Sequence, residues 1–298
     1  MKHLIQYRLF ESTGGDIELI CKEYGIENYI INSDGSIDVD GNVDLSYKKL
    51  DKLPIKFRNV TGNFYCYYNK LTSLKGCPKL IFGYFICSYN NLTSLEGSPE
   101  SVGSDFICSY NNLISLEGGP KSVDGGFYCQ NNKLTSLEGG PKWVGGDFWC
   151  YNNKLTSLQG GPKSVGRDFN CFNNNLTSLE GCPKWVGGNF YCYDNKLASL
   201  EGDPKSVGGH FDCHNNNLIS LEGTPESIGG YFDCGNNPVY QIWKLFKDKD
   251  KIELFNDMDI IQGDSIILNR LIDFLDQIGK PKTEIELRMV IKDYKFIL

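Results

Sequence analysis

Nine cysteines, from Cys66 to Cys234, follow one another at intervals of 21 residues. Two before each stands a phenylalanine, from Phe64 to Phe232, and three after each an asparagine, from Asn69 to Asn237. Five after the first eight stands a leucine, Leu71 to Leu218, with another three further on. A fixed period of this length is the signature of a solenoid, in which each repeat is one coil stacked on its neighbours. The stretch "VDLSYKKLDKL", Val43 to Leu53, fits as a degenerate opening coil with Leu45 in the cysteine slot.

Within a coil, "FxC" reads as a short strand. Strand side chains alternate between faces, so Phe148 and Cys150 point inward while Asp147, Trp149 and Tyr151 fall on or near the open face. Neighbouring coils stack about 4.8 Å apart. The asparagine turns inward at the strand end, where its amide meets backbone groups that a tight turn would leave unpaired, at about 1–3 kcal/mol each. Glycines such as Gly145, Gly146, Gly187 and Gly188 are expected to supply backbone angles closed to other residues. No coil can bury its own apolar edge, so stability comes from neighbours.

The cysteines read as small buried hydrophobes beneath the phenylalanines. Stacked thiols run parallel rather than toward each other, which strains a disulfide. The sequence has no CxxC pair, and a 21-residue spacing is not a compact zinc motif. Cys21, Cys77 and Cys182 lie outside the column. This usage fits structural thiols in a reducing compartment, hence a cytoplasmic location. No apolar h-region follows "MKHLIQYRLFES", and no run of 18 apolar residues occurs, so neither a standard export signal nor a membrane span is expected. The net charge of −7 disfavours a general nucleic-acid binder.

The pattern "FxCxxNxLxxL" resembles the leucine-rich repeat LxxLxLxxNxL, with Phe and Cys in two leucine positions. The remainder, "GxPxxVGG", is too short and too rich in Gly and Pro for a helix. The style is similar to the short-repeat bacterial type found in secreted effectors and in repeat proteins encoded by large bacteriophages. The convex segment with consensus EGGPKSVGG, as in "EGGPKWVGG" at 138–146 and "EGDPKSVGG" at 201–209, and the opening "INSDGSIDVDGNVDLS" look like the phage group. The resemblance implies an α/β repeat fold, a leucine-rich-repeat solenoid with a concave parallel β-sheet, in the cytoplasm of a bacterial host if phage-encoded. Some effector relatives carry a ubiquitin ligase domain with a cysteine nucleophile after their repeats; here no cysteine follows Asn237, so that activity does not transfer.

Composition shifts where a solenoid needs caps. Residues 1–41 read as a mixed N-terminal cap: a helix starting near Asp16, then a hairpin of "NYIIN" and "SIDV". Residues 42–237 are the solenoid. Residues 238–298 show helical spacing, as in Ile242, Leu245, Phe246 and then Leu268, Leu271, Ile272, Leu275, and read as an α-helical C-terminal cap.

Function is then sought in the residues that vary on the open face. These are strongly aromatic: Tyr65, Tyr67, Tyr84, Tyr128, Trp149, Tyr151, Phe172, Tyr191 and Tyr193, with Ile86 and Ile107 among them, and Tyr68, Tyr89 and Tyr110 beside them. A core does not need rings that point away from it. Contiguous patches of this kind mark binding sites, and Tyr and Trp are enriched at interface hot spots. The bland alternative is that the rings pack on each other and keep the sheet dry. Asp105, Asp147, Asp168, Asp194, Asp212 and Asp233 share the face, which suits a basic or mixed polar partner and repels phosphate. The Glu96-to-Glu222 and Lys121-to-Lys205 columns fall on the convex side as solvated charge.

The expectation is therefore a non-catalytic protein–protein interaction module, with a host protein, one of antiviral defence, as the partner that the phage resemblance implies. Self-association is open, and no cofactor is expected. A small-ligand binder for sugars or nucleobases is the competing reading. A hydrolase or metal site around His210, Asp212 and Asp233 comes third. The strand "HFDCH" puts His210, Asp212 and His214 on one face, with Asp233 beside Asp212 on the next coil. Alternate strand residues are about 6.8 Å apart, so the two histidines cannot share one zinc ion; a metal site would need one histidine plus lateral acids.

Overall fold

The computed structural model describes residues 14–297. The first thirteen residues of the segment read as an N-terminal cap, and Leu298 at the other end, lie outside the described residues. From Val43 onward the chain winds as stacked coils, and each coil contributes a two-residue strand such as Phe127–Tyr128 or Phe148–Trp149. Adjacent strands pair in parallel and in register, Phe127 against Phe148 and Tyr128 against Trp149. Among the described residues these strands make a ten-stranded sheet that runs in coil order from Val43–Asp44 to Phe232–Asp233.

A second parallel sheet, which the Gly- and Pro-rich remainder did not announce, lies on the opposite side. Its strands are the Ser-Val or Trp-Val pairs, for example Ser122–Val123 and Trp143–Val144. Among the described residues it has eleven strands and begins with the antiparallel hairpin Tyr29–Ile31 and Ser36–Val39. The valines point in and the serines and tryptophans out, leaving Trp143 and Trp185 about half exposed. The exposed Glu and Lys columns lie in the same half of the coil; among the described residues no ion pair joins the two columns.

The core fills the space between the two sheets with columns of Phe, Cys, Leu and Val. Phenylalanine rings stack from coil to coil, with centroids 5.2 to 5.6 Å apart along Phe106, Phe127, Phe148 and Phe169. Asparagines bind neighbouring coils together. Asn153 accepts the Leu134 N–H at 3.0 Å and donates to the carbonyls of Cys129 at 3.1 Å and Cys150 at 3.0 Å. All twelve cysteines are free and buried. Burial raises their thiol pKa values, that of Cys182 to about 12.

The paired glycines before each strand have a different role from the one expected of them. Gly145, Gly146, Gly187 and Gly188 are not at positive φ. They are required by close approach: a Cβ on Gly187 would lie 2.2 Å from the Gly166 carbonyl oxygen, and one on Gly188 2.2 Å from Asp168 Oδ1. Conformational freedom is used instead at the glycine ten after each of the first eight cysteines of the column, such as Gly118 at φ 81°.

At the start, helix Gly14–Tyr24 buries Ile17 and Cys21, and Phe57 closes the phenylalanine column edge-on against Phe64 at 5.0 Å. At the other end Trp243, on helix Tyr240–Phe246, meets Phe232 edge-on at 5.0 Å. Helices Ile252–Asp257, Leu268–Gln277 and Glu284–Val290 follow. Among the described residues they are accompanied by a three-stranded sheet of Ile261–Gln262, Ser265–Ile267 and Lys295–Ile297, an element that helical spacing did not foreshadow.

Candidate functional site: the outer face of the ten-stranded sheet

The open face is organised in columns that run along the stack. The column one after the cysteine holds Tyr67, Ser88, Ser109 and Gln130, then Tyr151, Phe172, Tyr193 and His214. The last four form one continuous stack, with centroids 4.4, 4.5 and 4.5 Å apart and ring planes within 8 to 13°. The next column holds a second stack of Tyr47, Tyr68, Tyr89 and Tyr110, at 4.8, 4.2 and 4.3 Å. One coil, carrying Gln130 and Asn131, separates the end of the tyrosine stack from the start of the other. Tyr47 escaped the sequence reading, although placing Leu45 in the cysteine slot already assigned it to this column.

The tyrosine column carries a backbone cost. Its residues stand at positive φ, from 51° at Tyr68 to 58° at Tyr47, a conformation that bulky side chains rarely adopt. In later coils the same position is Asn131, Asn152, Asn173, Asp194, Asn215 or Asn236, types that tolerate it. There the side chains form a hydrogen-bonded ladder, Asn152 to Asn131 at 2.9 Å and Asn173 to Asn152 at 2.7 Å.

The column one before the cysteine is half-buried and lies beside the first of these rows, on the side away from the tyrosine row. Tyr65, Ile86, Ile107, Tyr128, Trp149, Asn170, Tyr191, Asp212 and Asp233 succeed one another in register. At its centre Tyr128 meets Trp149 edge-on at 4.9 Å and donates to Asp147 at 3.2 Å. Burial, with Asp105 and Asp147 nearby, raises the Tyr128 phenol above its ordinary range. In this column Trp149 Nε1 and Asn170 Oδ1 are buried without a hydrogen-bond partner, and in the column one after the cysteine so are Gln130 Oε1 and Ser46 Oγ. Tyr84 lies in the outer column three before the cysteine and is exposed.

That outer column turns out to be scaffolding. Asp105 Oδ1 accepts the Gly126 N–H at 2.7 Å, Asp147 Oδ1 that of Asp168 at 3.0 Å, and Asp168 Oδ1 that of Asn189 at 2.7 Å. Asn42, Asn63 and Asn189 do the same for the next coil. So does His210, whose Nδ1 accepts the Tyr231 N–H at 3.1 Å while its ring stacks on Tyr231 at 3.7 Å. Each of these side chains satisfies the backbone of the following coil, a role hidden in the sequence because Asp, Asn and His share only their acceptor atoms.

His214 and Asp212 behave differently. His214 Nδ1 lies 2.6 Å from Asp212 Oδ1, and Asp233 Oδ1 accepts the Gly235 N–H at 2.8 Å. Asp212, His214 and Asp233 each bring a ligand-type atom within 4.8 Å of the others. The sequence placed these three on one face together with His210; the structure groups them without it.

Stacked 21-residue coils, each giving one strand to a parallel, in-register sheet and an inward asparagine after it, decide the fold class. The architecture is a short-repeat, leucine-rich-repeat solenoid. No family model matches the sequence, and no curated protein matches it either. Among solved structures, the chain is similar to the leucine-rich effector protein YopM from Yersinia pestis, at 20% identity and a TM-score of 0.45. That match covers 66% of this chain and 60% of the Yersinia chain. A Shigella effector LRR domain is 18% identical, with a TM-score of 0.41 over 65% of this chain and 81% of the other. YopM from Yersinia enterocolitica WA-314 is 15% identical, with a TM-score of 0.33 over 66% and 64% of the two chains. Among the described residues no helix is long and apolar enough to cross a membrane.

Proposed function

We propose that the chain is a non-catalytic protein-binding module whose contact surface is the outer face of the ten-stranded sheet, centred on Tyr128, Trp149, Tyr151, Phe172 and Tyr193. The observation that carries this reading is the tyrosine row at positive φ. A left-handed backbone costs an ordinary residue roughly 1–2 kcal/mol, and later coils hold the same positive φ with asparagine or, at Asp194, aspartate, which tolerate it. Stacking of aromatic pairs returns about 0.5–1.5 kcal/mol per contact, which offsets the strain without giving a reason to incur it. Local strain of this kind gathers at functional surfaces.

The geometry also favours a protein over a small ligand. Rings stacked at 4.2 to 4.8 Å have their faces occupied and present edges and hydroxyls outward. A sugar or nucleobase needs a free ring face, whereas a broad protein surface packs against edges. Following the resemblance of the EGGPKSVGG consensus to phage-encoded repeat proteins, the partner is a bacterial host protein, one of antiviral defence, met in the cytoplasm.

The test is a comparison of two baits in host lysate, wild type and Trp149→Ala/Tyr151→Ala/Phe172→Ala, after circular dichroism shows that both are folded. A protein enriched on wild type and lost on the variant, and then bound by purified wild type alone, supports the reading. Equal capture by both baits, or no protein retained by either, overturns it.

A further inference from the structure

We propose that Asp212, His214 and Asp233 form a divalent-cation site at the C-terminal end of the aromatic row. The inference stands whether or not the face binds a protein. Parallel, in-register pairing brings it about: Asp212 and Asp233 occupy the same column on adjacent coils. His214 follows Asp212 by two residues and so shares its face. One donor atom from each lies within 4.8 Å of the other two. Ligands at roughly 2.0–2.2 Å from a common zinc ion are themselves about 3–4 Å apart, so small side-chain rotations close the set.

The donors are held in place by the backbone. Asp212 Oδ1 accepts the His214 N–H at 3.2 Å, and Asp233 Oδ1 accepts the Gly235 N–H at 2.8 Å. One face of the His214 ring is covered by Tyr193 at 4.5 Å, which fixes its plane. On the other side the column continues with Gly235, the one coil position in that column with no side chain. A Cβ there would lie 3.1 Å from Asp233 Oδ1 and 3.9 Å from His214 Cβ, so glycine keeps open the space that the three donors border.

The charge is also unbalanced. Two carboxylates sit on neighbouring rungs, and among the described residues neither is ion-paired with a lysine or arginine; the only ionic contact is His214 with Asp212. Lys247 and Lys249 line one cleft with Asp233 without an ion pair to it, and Lys249 Nζ is engaged by the carbonyls of Ile228 and Gly230. His210 is not among the grouped donors, and its Nδ1 holds the Tyr231 N–H.

Two carboxylate oxygens and one imidazole nitrogen, with remaining positions open to solvent, suit a borderline first-row ion such as Zn2+ or Mn2+. The buried thiols do not compete in the folded protein, since burial disfavours the thiolate that binds metal. A bound ion would place positive charge and open coordination positions at the end of the ring row.

The experiment is calorimetric titration of the full chain, freed of metal by chelator and dialysis, with ZnCl2 and in parallel MnCl2. One site of micromolar affinity is expected. Asp233→Asn and His214→Gln should each weaken it by more than about tenfold, at or above the loss typical of changes behind the ligands themselves. His210→Gln should change it less than about twofold. Thermal unfolding gives a second readout: ligand-linked stabilisation raises the wild-type midpoint with metal by more than that of Asp233→Asn at the same metal concentration. Absence of saturable binding of either ion, or binding of equal strength in Asp233→Asn, overturns the proposal.

Discussion

Replacing Asn153 by alanine tests the buried amide ladder at the centre of the solenoid. In the native structure the Leu134 N–H has Asn153 Oδ1 as its acceptor at 3.0 Å. Asn153 Nδ2 is shared between Cys129 O and Cys150 O, but these carbonyls keep Asn132 at 3.1 Å and Asn174 at 3.2 Å when it is removed. The substitution therefore strands one buried N–H, at about 1–3 kcal/mol, and deletes two further bonds worth about 1 kcal/mol each. The sum is about 3–5 kcal/mol. Aspartate at the same position keeps the acceptor but turns a carboxylate toward two carbonyl oxygens, so Asn153→Asp should cost at least as much. The assay is urea unfolding followed by tryptophan fluorescence, with exposed Lys154→Ala as the control. Because repeat arrays can depart from two-state behaviour, hydrogen exchange at the Leu134 amide supplies a local reading, and protection there should fall in both variants. An Asn153→Ala protein within about 1 kcal/mol of the control would refute the ladder argument.

Four further outcomes are expected. Gly209→Ala should destabilise the chain by about 1–3 kcal/mol through overpacking, since the new Cβ would lie 2.3 Å from Asn189 Oδ1, and Asn189→Gly should restore part of the loss in a thermal melt. Tyr89→Asn relieves backbone strain while losing two stacking contacts, so its stability should stay within about 1 kcal/mol of wild type; a larger loss in urea unfolding would make the tyrosine row structural. Burial holds the half-buried Asp203 carboxyl at about 7, so the folded state binds its proton more tightly than the unfolded one. Stability from this group is present at low pH and lost as pH rises from about 4 to about 7. Asp203→Asn should raise the melting temperature at pH 8 and not at pH 4, by no more than about 1 kcal/mol once solvent screening is counted. Native protein should resist a thiol reagent such as Ellman's for minutes and react fully in denaturant, because the thiols are buried; rapid native labelling would contradict their placement.

Much of the fold is written in residues that repeat one chemistry. Phe, Cys, Leu and Asn return at fixed spacing because each meets the same environment in every coil, and the inward asparagine could be deduced from the turn it serves. The second sheet was hidden because its strands from Leu80–Ile81 onward are two residues long and expose Ser in one coil and Trp in another, too little for an alternation to register. The acceptor column was misleading for a related reason. Asp105, Asn189 and His210 differ in charge, so the sequence presents them as surface chemistry, while their geometry makes them one structural device. The glycine pairs likewise look like turn residues until the facing carbonyl oxygen of the previous coil is located. His214, Asp212 and Asp233 were visible as neighbours, but only the bond from Tyr231 to His210 separates the histidine that supports the backbone from the one that remains beside the acids.

The two ring rows occupy different columns and are offset along the stack by a single coil, that of Gln130 and Asn131. A partner that follows both must cross the sheet obliquely, and that coil sets the stagger. Duplicating it would leave each row internally intact while moving the two one rung, about 4.8 Å, further apart along the stack. Repeat number between Tyr110 and Tyr151 thus works as a ruler: gain of a 21-residue unit retunes recognition in a discrete step and keeps every existing contact residue, whereas loss of the present unit would also remove Tyr128.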